Sequence, residues 1–258
     1  MDGYLYETHL HTSEGSACGK VSGSDYIDYM KGRGFRGMIV TDHFFNGNSA
    51  VPKDLPWRER ILIYTSGYKK ALLAAEGQDF DVLFGVEYNF DRDEYLIYGV
   101  DEAWLLENED LLSLSRTEVY RRVHEAGAVM VQAHPYRERN YISHITLMPE
   151  ICDGIEIYNA ANPAYQNVLA YRYAKELKVP MTAGSDIHFF YDGAMGGMLL
   201  PQRICDASEY ADLIREGAGI PVAVSGAGPD LRIVKVTDLP QQTTAAAEPT
   251  LPVHYVRD

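Results

Sequence analysis

The sequence predicts an α/β fold whose parallel sheet closes into a barrel. Short apolar runs typical of buried strands alternate with helical segments, and this alternation is the pattern of a parallel sheet. Residues able to bind metal or transfer protons directly follow five of these runs. An open doubly wound sheet gathers ligands at one switch point, whereas a barrel gathers them from many strand ends at its C-terminal face. Five contributing strands therefore favour the barrel.

Composition and charge narrow the class of protein. The 258 residues suffice for one large α/β domain. A net charge of −14 argues against a binding surface for long nucleic acids, which requires clustered Lys and Arg. Three cysteines at unrelated spacings disfavour a disulfide framework and fit a reducing compartment. With no signal peptide and no apolar run near the roughly 20 residues that span a bilayer, we expect a soluble cytoplasmic protein without a membrane partner.

The first predicted strand, residues 4–6, runs into the segment Glu7-Thr8-His9-Leu10-His11-Thr12. Residues i and i+2 of an extended chain face the same side, so His9 and His11 can converge on one point. By itself, a His-x-His motif is more often a surface or core feature than a metal site. The metal-site interpretation becomes stronger because metal-competent residues also follow later predicted strands.

The later elements are predicted from apolar spacing and from capping residues, such as Ser115 before the helix over residues 117–126. Helices are expected over residues 25–30, 57–76, 117–126, 164–177 and 208–215, and strands over residues 37–40, 82–86, 95–100, 128–133, 154–158, 179–183, 221–224 and 231–236. Four of these strands run into metal-competent residues: Asp42 and His43, Glu87, His134, and Asp186 with His188.

The chain is interpreted as one barrel domain, residues 1–238, followed by a tail. Residues 239–258 combine a Gln, Thr and Ala tract with several prolines, so we expect this tail to be poorly ordered. No internal repeat or linker is visible before it, and the sequence does not indicate an oligomeric state.

Pooled, the five strand ends offer imidazoles and carboxylates, ligands that suit zinc, manganese or iron. Each residue alone has a simpler explanation: Asp42 as a turn former, Glu87 as a solvated strand end, His134 as a satisfied core histidine. Five independent strand ends that draw on the same small ligand set are harder to explain in that way. Three histidines lie outside the pattern and are interpreted as structural: His124, His144 and His254.

The order of the motifs resembles the PHP (polymerase and histidinol phosphatase) family. The matching pieces are His-x-His-Thr, Thr-Asp-His, a Glu after a strand, His-Pro and Gly-Ser-Asp-x-His, over about residues 4–200. The resemblance implies a distorted (βα)7 TIM-like barrel with two or three divalent metal ions at the C-terminal face of its strands, and hydrolysis of phosphoesters. Carried over by position, it implies the metal ligands His9, His11, His43, Glu87, His134, Asp186 and His188.

The chain departs from the family pattern at two positions. The loop after His11 lacks the usual His or Asp and offers Glu14, Cys18 and Lys20, among which we expect Glu14 to be the substitute ligand. On the strand after Glu87, where the family has a histidine, the nearest match is Tyr95, a poor metal ligand. These departures leave open whether two or three ions bind.

The expected mechanism is metal-assisted hydrolysis, in which a metal-activated hydroxide attacks phosphorus. His43 or His188 is the alternative candidate for protonating the leaving oxygen. Asp42 is expected to orient a metal-binding imidazole. Arg137 is the best candidate to bind the phosphate, followed by Arg139 and then Lys20, and three tyrosines are expected to line a pocket for a base or sugar: Tyr136, Tyr158 and Tyr191.

Two alternatives remain open beside a phosphoesterase that acts on a small phosphomonoester or a nucleotide-type phosphodiester. One is a barrel metal hydrolase for a carbon–nitrogen or carboxyl ester bond. Against it stands the lack of a lysine at a strand end that could be carboxylated. The other is a non-catalytic, metal-stabilised binding domain. The sequence does not identify the substrate.

Overall fold

The computed structural model describes residues 2–91, 93–240 and 247–256. The strands are β1 (Tyr4–Leu10), β2 (Gly37–Val40), β3 (Asp81–Phe90), β4 (Asp93–Tyr98), β5 (Val129–Gln132), β6 (Ile145–Leu147), β7 (Gly154–Asn159), β8 (Met181–Gly184), β9 (Met195–Leu200), β10 (Ile220–Ser225), β11 (Arg232–Lys235) and β12 (Val253–Tyr255). The helices are α1 (Tyr26–Gly32), α2 (Trp57–Tyr64), α3 (Ser66–Ala74), α4 (Glu102–Glu107), α5 (Arg116–Glu125), α6 (Ala164–Leu177) and α7 (Ala207–Glu216).

A curled, mixed sheet of ten strands has the order β11-β10-β9-β1-β2-β3-β4-β5-β7-β8. β1, β2 and β3 are parallel, and so are β5, β7 and β8, whereas β4 is antiparallel to both of its neighbours. Just after β8, Ile187 pairs with Leu10 at the end of β1, and the backbone N–H of His11 donates to the Ile187 carbonyl over 3.0 Å. The carboxyl ends of β1 and β8 therefore meet.

The predicted α/β class is confirmed, but the topology is less regular than a repeating βα barrel. A tight turn that contains Asp91, with φ of 46°, leads from β3 into β4. A parallel partner needs a crossover of about a dozen residues, so this turn forces β4 to return antiparallel. β9, β10 and β11 extend the sheet beside β1, again antiparallel. The number of βα units in the predicted (βα)7 barrel is not established by this arrangement.

Strand β9 is missing from the elements that the sequence predicts, because Gly196 and Gly197 lower strand propensity. A Cβ at Gly196 would lie 2.0 Å from the carbonyl oxygen of Gly184, so glycine is what lets β9 approach the end of β8. The Gly196 N–H donates to Ser185 Oγ over 2.9 Å. These contacts hold the segment that carries Asp186 and His188.

The helix predicted over residues 57–76 is instead two helices, α2 and α3, which meet at Thr65. The Thr65 hydroxyl donates to the Ile61 carbonyl over 3.0 Å and is also hydrogen-bonded to Glu102. A Cβ at Gly67 would lie 2.1 Å from Thr12 Oγ1. The break therefore allows the first turn of α3 to pack directly against the loop that follows β1.

Helix α5 has the predicted N-terminal cap at Ser115. The Glu118 N–H donates to Ser115 Oγ, and the Glu118 carboxylate accepts the Ser115 N–H over 2.8 Å. This capping box satisfies amides that the first helical turn leaves without partners. Across the described ranges, no helix combines the length and apolar character needed to cross a membrane.

Residues 239–240 and 247–256 of the predicted tail lie among the described residues. β12 pairs in parallel with β6, and the Ile145 N–H donates to the Pro252 carbonyl over 2.8 Å. The Thr250 N–H donates to the Glu138 carboxylate over 2.7 Å. Long-range backbone pairing of this kind leaves no local signal in the sequence. Residues 241–246 and 257–258 of the predicted tail lie outside the described residues.

Candidate metal centre

The ends of β1, β2, β5 and β8, together with Glu87 inside β3, bring the seven ligands implied by the motif order together. Strand pairing extends beyond β2, because His43 and Glu87 form a further parallel bridge. The ring centroid of His11 lies 4.3 Å from those of both His43 and His188. All of the seven except the half-buried His188 are buried: His9, His11, His43, Glu87, His134 and Asp186.

Two of the groups that these ligands form define candidate metal positions. The His9 pocket consists of His9, Glu87 and His134, and the Nε2 atoms of both histidines lie 3.2 Å from Glu87 Oε1. The His11 pocket consists of His11, His43 and His188. In each pocket the ligand atoms lie within 4.8 Å of one another.

Two carboxylates lie between the pockets. Glu87 Oε2 lies 3.3 Å from His11 Nε2 and 2.6 Å from His43 Nδ1, so Glu87 contacts both pockets. Asp186 Oδ1 lies 3.2 Å from His11 Nε2 and 3.6 Å from His9 Nε2. A carboxylate shared between two ligand groups is the arrangement expected of a site for two neighbouring cations.

The charge states of this centre favour cations. Burial would raise the pKa of Glu87, but His43 and His9 outweigh it and hold that pKa well below its usual range. Burial would likewise lower the pKa of His9, but Glu156, Asp186 and Glu87 raise it well above its usual range. Without a proton, His9 Nε2 is a hydrogen-bond acceptor, and it would face carboxylate oxygens that also only accept. A proton or a metal ion at this point removes that repulsion, so the residues fit a metal.

Ser16 and Asp42 orient His11. The Ser16 hydroxyl donates to Asp42 Oδ1 over 2.7 Å, and its oxygen accepts from His11 Nδ1 and from the backbone N–H of His43, both over 3.0 Å. His11 therefore carries a proton on Nδ1 and presents Nε2 to the centre. Burial raises the pKa of Asp42 to about 7 despite hydrogen bonds from Thr12 and Ser16. Asp42 thus acts on His11 through Ser16, and not directly on its neighbour His43.

The structure does not bring Glu14, the predicted substitute ligand, to the centre. Its carboxylate accepts from Ser22 Oγ over 2.5 Å and from the Gly23 N–H over 3.2 Å, and it forms an ion pair of 2.8 Å with Lys70. The loop folds back on itself, with the Ser13 N–H bonded to the Val21 carbonyl over 2.8 Å. That path turns Glu14 toward α3 and away from the centre.

Cys18, the other candidate in this loop, lies at the centre. Burial would raise the pKa of its thiol, but hydrogen bonds with His188 and His43 outweigh burial and lower it to about 6. The backbone N–H of Lys20 donates to the His188 carbonyl over 2.8 Å, which fixes the loop against the His11 pocket, while the Lys20 residue is exposed.

On β4 the structure brings Glu94, and not Tyr95, to the centre. The two oxygens of Glu94 lie 3.8 Å from His43 Nδ1 and 3.6 Å from His134 Nε2. Tyr95 is buried and donates to Asp93 over 3.1 Å. Adjacent residues of a strand face opposite sides, so a shift of one position decides which side chain reaches the metal ligands. Glu94, with His43 and Glu87, forms a further group of suitable ligands.

The predicted phosphate-binding residues separate in the structure. Arg137 Nη1 lies 2.7 Å from Asp186 Oδ2 and 3.3 Å from His134 Nε2, so its guanidinium belongs to the centre. Among the described residues, Arg137 Nε has no hydrogen-bond partner. Arg139 instead donates to Asn162 over 3.1 Å. Arg137 is therefore the better placed of the two.

The three tyrosines expected to line a pocket do not form one cluster. Tyr136 is buried, with its ring centroid 6.0 Å from that of Tyr173. The Tyr191 hydroxyl donates to the Ala194 carbonyl of its own loop over 2.7 Å. Tyr158 is half-buried on β7. Phe189, which directly follows His188 in the sequence, is 57% exposed.

Two ligands have unusual backbone conformations. His134 has φ of 28° and Asp186 has φ of 54°, in the left-handed region that non-glycine residues rarely adopt. Such conformations persist only where the surrounding contacts enforce them, and they concentrate at functional sites. The strain supports a site whose ligands are held in place before a metal binds.

Comparison with known proteins gives similarity at the level of the fold. No family model matches the chain, and no curated protein matches it. A crystallised two-domain protein from Bacteroides vulgatus ATCC 8482, named as containing a predicted PHP-like metal-dependent phosphoesterase, is 15% identical with a TM-score of 0.63 over 85% of this chain and 64% of that one. The chain is similar in fold to PHP-like phosphoesterases.

Two further solved structures agree with this fold. One is a protein from Bifidobacterium adolescentis ATCC 15703 assigned as a metal-dependent phosphoesterase, 17% identical with a TM-score of 0.53 over 81% of this chain and 96% of that one. The other is PsfC from Pseudomonas syringae PB-5123, 16% identical with a TM-score of 0.51 over 82% of this chain and 88% of that one. The predicted resemblance to the PHP family is thus confirmed for the fold, and this chain spans slightly less than two thirds of the two-domain protein.

Proposed function

We propose that the protein is a metal-dependent phosphoesterase that uses two or three divalent ions to hydrolyse a small phosphorylated substrate on a distorted (βα)7 barrel. The observation that carries this proposal is the pair of histidine pockets that share Glu87 and Asp186, with Arg137 bonded to one of the shared carboxylates. Zinc, manganese and iron suit this set of nitrogen and oxygen donors. The fold similarity to assigned phosphoesterases supports the same reaction class.

The residues of the centre would divide two tasks in such a reaction, metal binding and phosphate binding. When bound, divalent cations supply Lewis acidity, which lowers the pKa of a coordinated water and offsets negative charge on phosphoryl oxygens. His9, Glu87 and His134 would hold one ion, and His11, His43 and His188 would hold another. Arg137 would bind a phosphoryl oxygen, because its side chain is 18% exposed and a guanidinium suits that oxyanion in charge and geometry.

Where its Nε2 does not hold a metal ion, His188 is the residue best suited to give a proton to the leaving oxygen. Its Nδ1 donates to the Asp186 carbonyl over 2.8 Å, so its Nε2 is the atom that exchanges protons. Burial would lower its pKa, but contacts with Cys18 and Asp186 raise it. His43 can take this role only where it does not bind a metal ion. Its Nδ1 lies 2.6 Å from Glu87, another of the candidate ligands.

The narrow access to the centre favours a terminal phosphate on a small molecule. Solvent reaches the centre chiefly through half-buried side chains: His188 is 17% exposed, Arg137 18% and Glu94 15%. The net charge of −14 disfavours a long polyanion. We therefore propose a phosphomonoester or a short nucleotide-type diester as substrate, without long nucleic acid or a membrane as partner, in the cytoplasm.

The test measures metal content and turnover together. Protein loaded in turn with Zn²⁺, Mn²⁺ or Fe²⁺ is assayed against phosphomonoesters, phosphodiesters, amides and carboxyl esters, and we expect hydrolysis of a phosphoester. Glu87→Gln should abolish turnover, whereas the matched control Glu14→Gln, at a carboxylate paired with Lys70, should retain it. Two bound ions without any phosphoester turnover, or turnover only of amides or carboxyl esters, would overturn the proposal.

A further inference from the structure

Glu156 is a buried carboxylate beside the centre that the motif order does not include. It lies on β7 and is 1% exposed. Its Oε1 lies 2.9 Å from His9 Nδ1, on the side of the imidazole opposite to Glu87. A Cβ at Gly184 would lie 3.0 Å from Glu156 Oε1 and 2.5 Å from His9 Cβ, so a glycine in β8 is needed for this approach.

Both oxygens of Glu156 are committed to accepting hydrogen bonds. Oε1 accepts from His9 Nδ1, and Oε2 accepts from the backbone N–H of His134 over 3.0 Å and from Asn159 Nδ2 over 3.1 Å. An ionised carboxylate cannot donate. The Nδ1 of His9 must therefore carry the proton, which leaves Nε2 as the atom that meets a metal.

The same carboxylate fixes a second ligand through its backbone. His134 has φ of 28°, and its N–H is the group that Glu156 Oε2 accepts. That conformation brings His134 Nε2 to 3.2 Å from Glu87 Oε1. Glu156 thus sets the tautomer of one ligand of the His9 pocket and the backbone of another.

The His11 pocket depends on different residues. His11 Nδ1 bonds to Ser16, which also accepts the His43 N–H and donates to Asp42. Among the described contacts, Glu156 has no hydrogen bond to His11, His43 or His188, and Ser16 has none to His9 or His134. The two pockets share Glu87 and Asp186 but differ in what orients their imidazoles.

We infer that Glu156 is a positioning residue that controls metal occupancy of the His9 pocket separately from that of the His11 pocket. The inference rests on the metal centre of the proposed function and not on its substrate. Each of the two ions can then be lost on its own, through a substitution that leaves its ligand side chains unchanged.

Glu156→Gln is the isosteric test. Three donors share the two carboxylate oxygens of Glu156, whereas a glutamine amide would offer them only one acceptor oxygen. If its oxygen faces His134 and Asn159, its NH₂ meets His9 Nδ1, which must then accept, and the proton moves to Nε2 and blocks the metal. If the amide is reversed, its NH₂ faces two N–H groups. Either orientation disrupts the His9 pocket.

The experiment titrates Zn²⁺ alone into the full chain and follows ions bound per chain and the side-chain ¹⁵N signals of His9 and His11. We expect Glu156→Gln to bind one ion about 10–100-fold more weakly and to lose metal from His9 Nε2, while His11 keeps its metal-bound signal. Ser16→Ala should do the reverse. Circular dichroism checks that each variant folds.

Three outcomes would overturn the inference. The first is that Glu156→Gln binds every ion as the unaltered protein does. The second is that both ions weaken equally in that variant. The third needs no variant: the zinc-loaded unaltered protein binds metal through His9 Nδ1, or binds no Zn²⁺ at all. Two zinc ions with the expected response to Glu156→Gln, but no hydrolysis of phosphoesters, would reject the phosphoesterase proposal and leave this inference standing.

Discussion

The Nη1 atom of Arg137 lies 2.7 Å from Oδ2 of Asp186, so a phosphate-binding candidate directly contacts a metal-ligand candidate. Burial would raise the pKa of Asp186, but Arg137 and His9 outweigh it and hold that pKa well below its usual range. Burial would lower the pKa of Arg137, and Asp186, Glu94 and Glu87 raise it instead. Both groups therefore stay ionised at neutral pH, and a phosphoryl group bound at Arg137 would lie next to the metal pockets.

Arg137→Lys should lower kcat/KM of the metal-loaded enzyme by about 10²–10³-fold. Lysine keeps the charge but cannot reach Asp186 and a phosphoryl oxygen at once, because it lacks the planar guanidinium. Arg139→Lys is the matched control, since Arg139 donates to Asn162 outside the centre, and it should change kcat/KM little. Steady-state kinetics on the best substrate of the panel measures both, and equal losses would contradict the assignment of Arg137.

Glu94→Gln should weaken binding of one metal ion by about tenfold or more. Like Glu87 and Asp186, Glu94 lies within 4 Å of an imidazole in each pocket, at 3.8 Å from His43 and 3.6 Å from His134. Tyr95→Phe, one residue along β4, removes only the hydroxyl bonded to Asp93 and is the control. Calorimetric titration with Zn²⁺ distinguishes them, and a larger loss in Tyr95→Phe would show that β4 presents its other face.

Cys18 should be the most reactive thiol of the metal-free protein. With a pKa of about 6, its thiolate fraction rises steeply between pH 5 and 7, so alkylation by iodoacetamide should accelerate over that range with a midpoint near pH 6. Burial raises the pKa of Cys152, which should stay unmodified. Peptide mass spectrometry measures each site, with the exposed Cys205 as an internal comparison.

Added Zn²⁺ should slow alkylation of Cys18 and leave that of Cys205 unchanged, because the metal would occupy the neighbouring His43 and His188. Alkylation of Cys18 at a constant rate from pH 5 to pH 7 would be evidence that the two imidazoles do not act on this thiol.

The free energy of unfolding of metal-free Glu7→Gln should exceed that of the unaltered protein by a margin that grows as pH rises from 5 to 7. Burial raises the pKa of Glu7 to about 7 despite hydrogen bonds from Ser185 and His9. Because the folded-state pKa lies above the unfolded value, the unfolded chain releases its proton first. The unaltered protein then loses about 1.4 kcal/mol of unfolding free energy per pH unit, a loss that ends above about pH 7.

Urea unfolding in EDTA at pH 5 and pH 7 tests this dependence on Glu7. The advantage of Glu7→Gln over the unaltered protein should grow by about 2 kcal/mol between the two pH values. Glu109→Gln, at an exposed turn, is the control for a surface carboxyl. An advantage that does not change with pH would mean that Glu7 is ionised throughout.

The sequence by itself determined where the reactive residues come in the order of strands. Apolar runs mark strands locally, and the residue that follows each run must lie at its end, so the convergence of His9, His43, Glu87, His134 and Asp186 followed once the sheet was taken as parallel. The N-terminal cap of α5 at Ser115 was equally legible, because its signal is local.

Only the tertiary structure decided which side chains complete the centre. The ion pair with Lys70 turns Glu14 away, while the fold of the same loop brings in Cys18. Strand register selects Glu94 over Tyr95, and β7 supplies Glu156 from a distant part of the chain. The physical reason is that a local pattern fixes an element but not the direction in which a loop folds or the partner against which a strand pairs, and a shift of one residue exchanges the two faces of a strand.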